Sequence, residues 1–297
     1  MALKLEGIIS AMLTPFTKNG AYVDFDKIAP FAERLIKSGV HGLFPCGTTG
    51  EGQLLTPEER KEIVEEVVAT AGKRVKVIAH TGAMDTATTI ELTRHARDCG
   101  ADGASIVAPG FYAYDDASLA KYYKAVARAV DGFPVLLYNI PSCAKNELSA
   151  ELVLDLAESV DNIIGIKDSS GSMPRLTRLL GAAPKGFHII NGCDEYGYQA
   201  FLAGVPAVVS GTSNVVPELY VGIHEHVKKG NLKKAWKLQV TLERAARVFQ
   251  YGRMSSIFKE SLRLRGFDAG YVRPPQRELT AGEKKKLAKD LEALGII

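Results

Sequence analysis

Short apolar, β-rich runs alternate along this chain with longer segments whose apolar residues recur at helical spacing, the beat of parallel strands joined by crossover helices. Eight strands are predicted: Gly7 to Pro15, Gly42 to Cys46, Val75 to His80, Gly103 to Ala108, Pro134 to Ile140, Ile163 to Lys167, Phe187 to Asn191 and Ala207 to Ser210. Helical patterns lie between and after them at about residues 25–38, 57–72, 86–99, 116–130, 149–160, 172–182, 195–203 and 216–229. Eight such units in one chain read as an α/β fold, a (β/α)8 TIM barrel. A doubly wound sheet would announce a GxGxxG after its first strand, and here that place is Leu13-Thr14-Pro15-Phe16.

The punctuation agrees with the count. Thr56-Pro57-Glu58-Glu59 reads as a capping box with proline at the first helical position; Asp24, Ser149 and Ser172 are predicted N-caps, and Gly39, Gly72, Gly100 and Gly132 close helices. After the eighth unit, Asn231 to Gly266 carries two helical patterns and Ala281 to Leu294 a third, with Pro274-Pro275 between and no Gly/Ser linker. Residues 1–230 are therefore expected to be the barrel domain, and 231–297 a helical region packed on it and on a neighbouring subunit.

In such a barrel, functional groups gather at the C-terminal ends of the strands. Lys167 ends the apolar run Asn162-Ile163-Ile164-Gly165-Ile166-Lys167-Asp168, where a low-dielectric mouth would favour the neutral amine that a nucleophile requires. The loop Gly47-Thr48-Thr49-Gly50-Glu51-Gly52 offers backbone N–H groups and two hydroxyls suited to gripping a carboxylate or phosphate. Tyr138 supplies a hydroxyl able to shuttle protons as an amine attacks a ketone, and Thr48 would extend that relay while Thr49 holds the carboxylate of a 2-oxo acid.

Composition removes several classes of function. Thirty-seven Lys plus Arg against 34 Asp plus Glu leave a formal charge of +3 in 297 residues, spread along the chain, so no nucleic-acid partner is expected. No apolar stretch approaches a membrane span and the opening residues lack a signal-peptide pattern, so no membrane partner is expected and the cytoplasm is the expected compartment. The four cysteines, at 46, 99, 143 and 193, are far apart, which fits a reducing compartment. The six histidines form no HxxxH or HxH pair at a mouth, because His224 and His226 lie on a helix and point to different faces, so no metal is expected.

Gly47-Thr48-Thr49-Gly50-Glu51, Tyr138-Asn139-Ile140-Pro141 and Ile164-Gly165-Ile166-Lys167-Asp168 resemble the signatures of the N-acetylneuraminate lyase and dihydrodipicolinate synthase superfamily. Leu13-Thr14-Pro15-Phe16 and Gly204-Val205-Pro206-Ala207-Val208-Val209-Ser210 match in kind and order, so the resemblance covers nearly the whole chain. It implies a class I aldolase acting on pyruvate through a lysine Schiff base, without other cofactor, usually as a homotetramer. By motif, Lys167 would form the Schiff base and Tyr138 shuttle protons, with Thr48 in the relay, Gly47 and Thr49 on the carboxylate, and Val209 offering backbone groups to the keto acid.

The subfamilies divide on what surrounds these motifs. Synthases of the superfamily place an arginine soon after the tyrosine motif, to hold the carboxylate of aspartate semialdehyde; this chain has Cys143, whose thiol has no two-pronged hydrogen bond to offer. They also send a relay tyrosine across a subunit interface, a place held here by Phe111, with Tyr112 or Tyr114 as substitutes after a shift of one or three residues. In the other direction, Asn191-Gly192-Cys193-Asp194-Glu195 resembles the run with which neuraminate lyases hold a sugar-acid tail, including Gly192, Asp194 and Glu195, although Gly211 stands where those lyases have serine. The plainer reading of the two carboxylates is favourable charge at a helix N-terminus. The sequence thus favours an aldolase for a hydroxylated or sugar-acid aldehyde, with dihydrodipicolinate synthesis as the alternative. A metal-dependent aldolase using Cys46, His80 and Cys193, and a non-catalytic 2-oxo-acid sensor, are the readings from other classes.

Overall fold

The computed structural model describes residues 3–250 and 255–297. Eight parallel strands close into a barrel in chain order: β1 (Gly7–Ala11), β2 (Gly42–Phe44), β3 (Lys76–His80), β4 (Gly103–Val107), β5 (Val135–Asn139), β6 (Ile163–Asp168), β7 (His188–Asn191) and β8 (Ala207–Ser210), with β8 pairing back on β1. The helices of the outer ring are α1 (Ile28–Lys37), α2 (Pro57–Ala71), α3 (Thr86–Asp98), α4 (Asp116–Ala129), α5 (Pro141–Ala144), α6 (Ala150–Ser159), α7 (Met173–Ala182), α8 (Gly197–Leu202) and α9 (Pro217–Lys228). Then come α10 (Leu232–Phe249), α11 (Ser255–Leu264) and α12 (Ala281–Ala293). This is the expected (β/α)8 barrel followed by C-terminal helices. The positions 1–2 and 251–254, which the sequence reading included in its opening residues and in the 231–266 pattern, lie outside the described residues.

Two apolar clusters account for the architecture. Strand residues facing outward join the helices in the larger one, while Ile9, Phe44, Ile78, Leu136, Tyr138 and Val209 point into the barrel and fill its lumen. The Thr56 capping box forms, and Ser149 and Ser172 accept hydrogen bonds from Leu152 N and Arg175 N as N-caps should. Asp24 does not cap: it precedes a 3-10 turn at Phe25–Lys27, and α1 starts only at Ile28. Strand β1 stops at Ala11 rather than Pro15 because Asn214 takes over its hydrogen bonds, accepting from Leu13 N and donating to Ala11 O. Strand β2 stops before Pro45, and Cys46 follows in a left-handed conformation. The short α5 was not foreseen.

Strand β6 carries a register shift against β5 between Val135 and Leu136. Ile164 packs in the inner cluster and Ile166 in the outer one, which strict alternation forbids. Ile164 is the extra residue left without a partner, and beside it at Gly165 a Cβ would lie 2.4 Å from the carbonyl oxygen of His188 and 2.9 Å from Leu136. Gly165→Ala is therefore expected to cost about 1–3 kcal/mol in urea unfolding and to disturb the strand end that follows.

At the opposite end of the barrel, His224 packs against His41 and Phe201, and burial pulls its pKa down to about 4. The unfolded chain takes up this proton near pH 6.5, before the native state does. Stability is thus expected to fall as pH drops from about 6.5 to 4, and His224→Gln should flatten that part of a melting-temperature profile.

Candidate active site

Lys167 and Tyr138 face each other across paired strands β5 and β6 and both point into the lumen mouth. The Lys167 Nζ lies 3.7 Å from the centre of the Tyr138 ring and 5.1 Å from that of Phe44, and the residue is 5 % exposed. Among the described residues its amine makes no hydrogen bond or ion pair. The Tyr138 and Thr48 hydroxyls lie 3.3 Å apart, within hydrogen-bond reach of each other. The main-chain N–H groups of Thr48 and Thr49 have no acceptor among the described residues and are available to an anion.

These groups border a cavity of about 360 Å³. Lys167, Tyr138, Thr48, Thr49 and Val209 line it, and so do Gly192, Asp194 and Glu195. A Cβ at Gly211 would sit 3.1 Å from the Thr49 hydroxyl, so glycine there leaves that hydroxyl its room. A second cavity of about 490 Å³ shares Thr48 and Ile140 as wall and contains Gly47, Phe111 and Cys143 on a largely apolar lining. Tyr112 enters neither cavity within one chain: its ring is 64 % exposed and packs edge-on against Phe111, itself in a left-handed conformation at φ 68°.

Asp194 and Glu195 lie in the first turn of the 3-10 helix Asp194–Tyr196 that leads into α8, and both also bond across the fold. Asp194 Oδ2 accepts from Thr212 N on the neighbouring strand loop, and burial pushes this carboxyl above its ordinary range. Glu195 Oε1 accepts from Gln250 Nε2 at 2.6 Å, while Gln239 donates to both of their carbonyls. The following α8 begins at Gly197 without a side-chain cap. The three residues of the metal reading, Cys46, His80 and Cys193, are not assembled as a ligand set. His80 Nδ1 faces the cationic Arg60 guanidinium at 3.3 Å, burial pushes the Cys46 thiol up to about 12, and among the described residues no group of three or more His, Cys, Asp or Glu side chains is arranged for a metal ion.

Sequence reasoning missed what holds the Gly47 to Gly52 loop. Lys259 of α11, fully buried, donates to Glu51 Oε1 at 2.7 Å, to Thr14 O at 2.7 Å and to Tyr271 O at 2.5 Å. Glu51 Oε2 accepts from Arg273 N, and Ser255 Oγ donates to Thr49 O. The only signal in the sequence was a charged position within an amphipathic helix, which ordinarily means solvent.

A buried, unpaired amine beside a phenol and a threonine hydroxyl, at the C-terminal mouth of a parallel barrel, is the equipment of lysine-dependent carbon–carbon lyases. The comparisons with known proteins agree: the dihydrodipicolinate synthetase family model matches residues 4–294, and the chain belongs to that family. It is a pyruvate-dependent lyase of the kind that works through a lysine Schiff base. An uncharacterised DapA-like lyase of Halobacterium salinarum is 38% identical over 99% of this chain and 96% of its own. A 4-hydroxy-tetrahydrodipicolinate synthase of Methanopyrus kandleri is 32% identical over 100% and 99%. Among solved structures, YagE of E. coli K12, in complex with pyruvate, superposes with a TM-score of 0.94 at 32% identity, covering 98% of this chain and 99% of that one. No helix among the described residues is long and apolar enough to cross a membrane.

Proposed function

We propose that the protein captures pyruvate as a Schiff base on Lys167 and makes or breaks a carbon–carbon bond between it and an aldehyde. Tyr138 and Thr48 move the protons, and Thr48 and Thr49 hold the carboxylate through their N–H groups. The observation that carries this reading is the Lys167 amine, buried, without a charged partner, and 3.7 Å from the ring whose hydroxyl meets Thr48. Attack of the amine on the keto carbon gives a carbinolamine. Its hydroxyl leaves as water once Tyr138 delivers a proton, and the resulting iminium acidifies the adjacent methyl group, whose enamine adds to the aldehyde. The reverse sequence cleaves the bond. No metal or further cofactor is required, and the expected working form is a cytoplasmic homotetramer.

For the aldehyde, the names of relatives reverse the order that the sequence suggested. Matches at 31–34% identity over almost the whole chain are 4-hydroxy-tetrahydrodipicolinate synthases, which makes aspartate semialdehyde the first substrate to consider. A hydroxylated aldehyde, as from a 2-keto-3-deoxy sugar acid or a neuraminate-like substrate, is the second reading, and one observation favours it. Among the described residues no arginine lines either cavity, Cys143 sits in the wall instead, and Asp194 and Glu195 border the cavity of Lys167. Pyruvate consumption measured against aspartate semialdehyde and a series of short hydroxyaldehydes decides between them. Turnover with the semialdehyde alone supports synthesis of the dihydrodipicolinate precursor; turnover with the hydroxyaldehydes alone supports the sugar-acid reading. Failure of pyruvate and borohydride to leave an adduct on Lys167 would sink both.

A further inference from the structure

Behind the barrel wall, the residues that follow Tyr138 and Lys167 in sequence bind each other. Strand alternation turns Asn139 and Asp168 away from the lumen, to which Tyr138 and Lys167 point, and the two are paired in register between β5 and β6. Asn139 Nδ2 donates to Asp168 Oδ2 at 3.0 Å, and both residues are buried, at 0 % and 3 % exposure. The same oxygen accepts from Arg175 Nε at 2.7 Å, an arginine of the first turn of α7 whose amide is already held by the Ser172 cap. Asp168 Oδ1 is filled by Ser170 N and Ser170 Oγ, and Asn139 Oδ1 accepts from Leu148 N. The main chain closes the unit, with Ser169 N donating to Asn139 O and Gly192 N to Asp168 O. Three strand ends are thereby tied at one level.

We infer that Asn139, Asp168 and Arg175 form a positioning clamp that sets the height of Lys167 against Tyr138 across the β5–β6 seam, a role resting on the proposal that these two residues carry the chemistry. Strand ends are where a ladder frays, and each reacting group sits on the second-to-last residue of its strand. Neither Lys167 nor the Tyr138 hydroxyl has a lumen-side bond strong enough to fix its strand, since the amine only overlies aromatic rings and the phenol meets one threonine at 3.3 Å. The clamp works from the other face. It also gives the carboxylate next in sequence to Lys167 a guanidinium partner of its own, so that Asp168 is held outward and does not turn toward the amine. Displacing a reacting group by about 1 Å is enough to slow a positioned reaction about a hundredfold.

The test follows the rate at which pyruvate becomes trappable by borohydride, read by intact mass over a pyruvate series up to saturation in the full-length protein. Arg175→Ala and Asn139→Ser are expected to slow formation of the adduct by about tenfold to a hundredfold while the pyruvate concentration for half-maximal rate stays near that of the unaltered protein. Arg175→Lys, which keeps a cation for Asp168, is expected to recover most of the rate. Each variant is assayed at a temperature where circular dichroism reports it folded, and if Arg175→Ala does not fold, Asn139→Ser decides, because it leaves the ion pair in place. Adduct formation at the unaltered rate in the folded variants, or a loss confined to pyruvate affinity, would overturn the clamp alone. An unaltered protein that forms no adduct on Lys167 would overturn the proposed chemistry and the clamp with it.

Discussion

Lys167→Met is expected to abolish the borohydride-trapped pyruvate adduct and to lower turnover by roughly three orders of magnitude or more, with little change in melting temperature. The reason lies in what the amine does and does not touch. Its stem runs among Phe44 and Tyr138 in the lumen, where an unbranched thioether fits, and among the described residues no hydrogen bond or ion pair is broken by the change. Nothing structural is lost, yet among the described residues no other lysine borders the cavity. Tyr138→Phe separates nucleophile from proton shuttle: the adduct should still form on Lys167, more slowly, and turnover should fall by about 10²–10⁴-fold. An adduct that persists in Lys167→Met, mapped by peptide mass to a different lysine, would overturn the assignment.

The second large effect is expected far along the chain. Glu51→Gln or Lys259→Met, made singly, should each lower unfolding free energy by about 3–5 kcal/mol in urea titrations, because each strands one buried charge and its hydrogen-bond partners. Burial pushes the Glu51 carboxyl up and the Lys259 amine down, so both ions resist their surroundings and persist through each other. The double variant Glu51→Gln with Lys259→Met is therefore expected to lose less than the sum of the two, which a double-mutant cycle measures. Additive losses would mean that the pair acts through separate contacts, Lys259 on Thr14 O and Tyr271 O, and Glu51 on Arg273 N. Both single variants should also weaken pyruvate capture, since the pair underpins the loop that carries Thr48 and Thr49.

The site was legible in the sequence to the extent that its members sit at strand ends in a repeating fold. Lys167, Tyr138, Thr48 and Thr49 all end or follow apolar runs, and the eightfold beat alone implies that they meet at one mouth. The rim was less legible. Asp194 and Glu195 do line the cavity, but the bonds of Asp194 to Thr212 N and of Glu195 to Gln250 join residues 18 and 55 positions apart, which no local pattern encodes. Tyr112 sits in a motif-like run yet turns outward on a loop whose preceding residue is left-handed, a backbone state that composition does not announce for phenylalanine.

By itself the sequence determined the number and order of the strands, the helix caps at Thr56, Ser149 and Ser172, and the four residues that converge at the mouth, because periodicity and capping are local properties of a chain. Tertiary structure alone decided which way Lys167 points. Counted by simple alternation from the inward Ile164, it would face the helices; the unpaired Ile164, next to Gly165 where His188 O and Leu136 approach too closely for any Cβ, shifts the phase by one residue and turns the amine into the barrel. Tertiary structure also decided that Lys259, a charge in the middle of a helix, is the buried anchor of a loop 208 positions away. Both outcomes depend on which surfaces come together in three dimensions, since a strand's phase and a charge's burial are set by its neighbours across the fold and not by those along the chain.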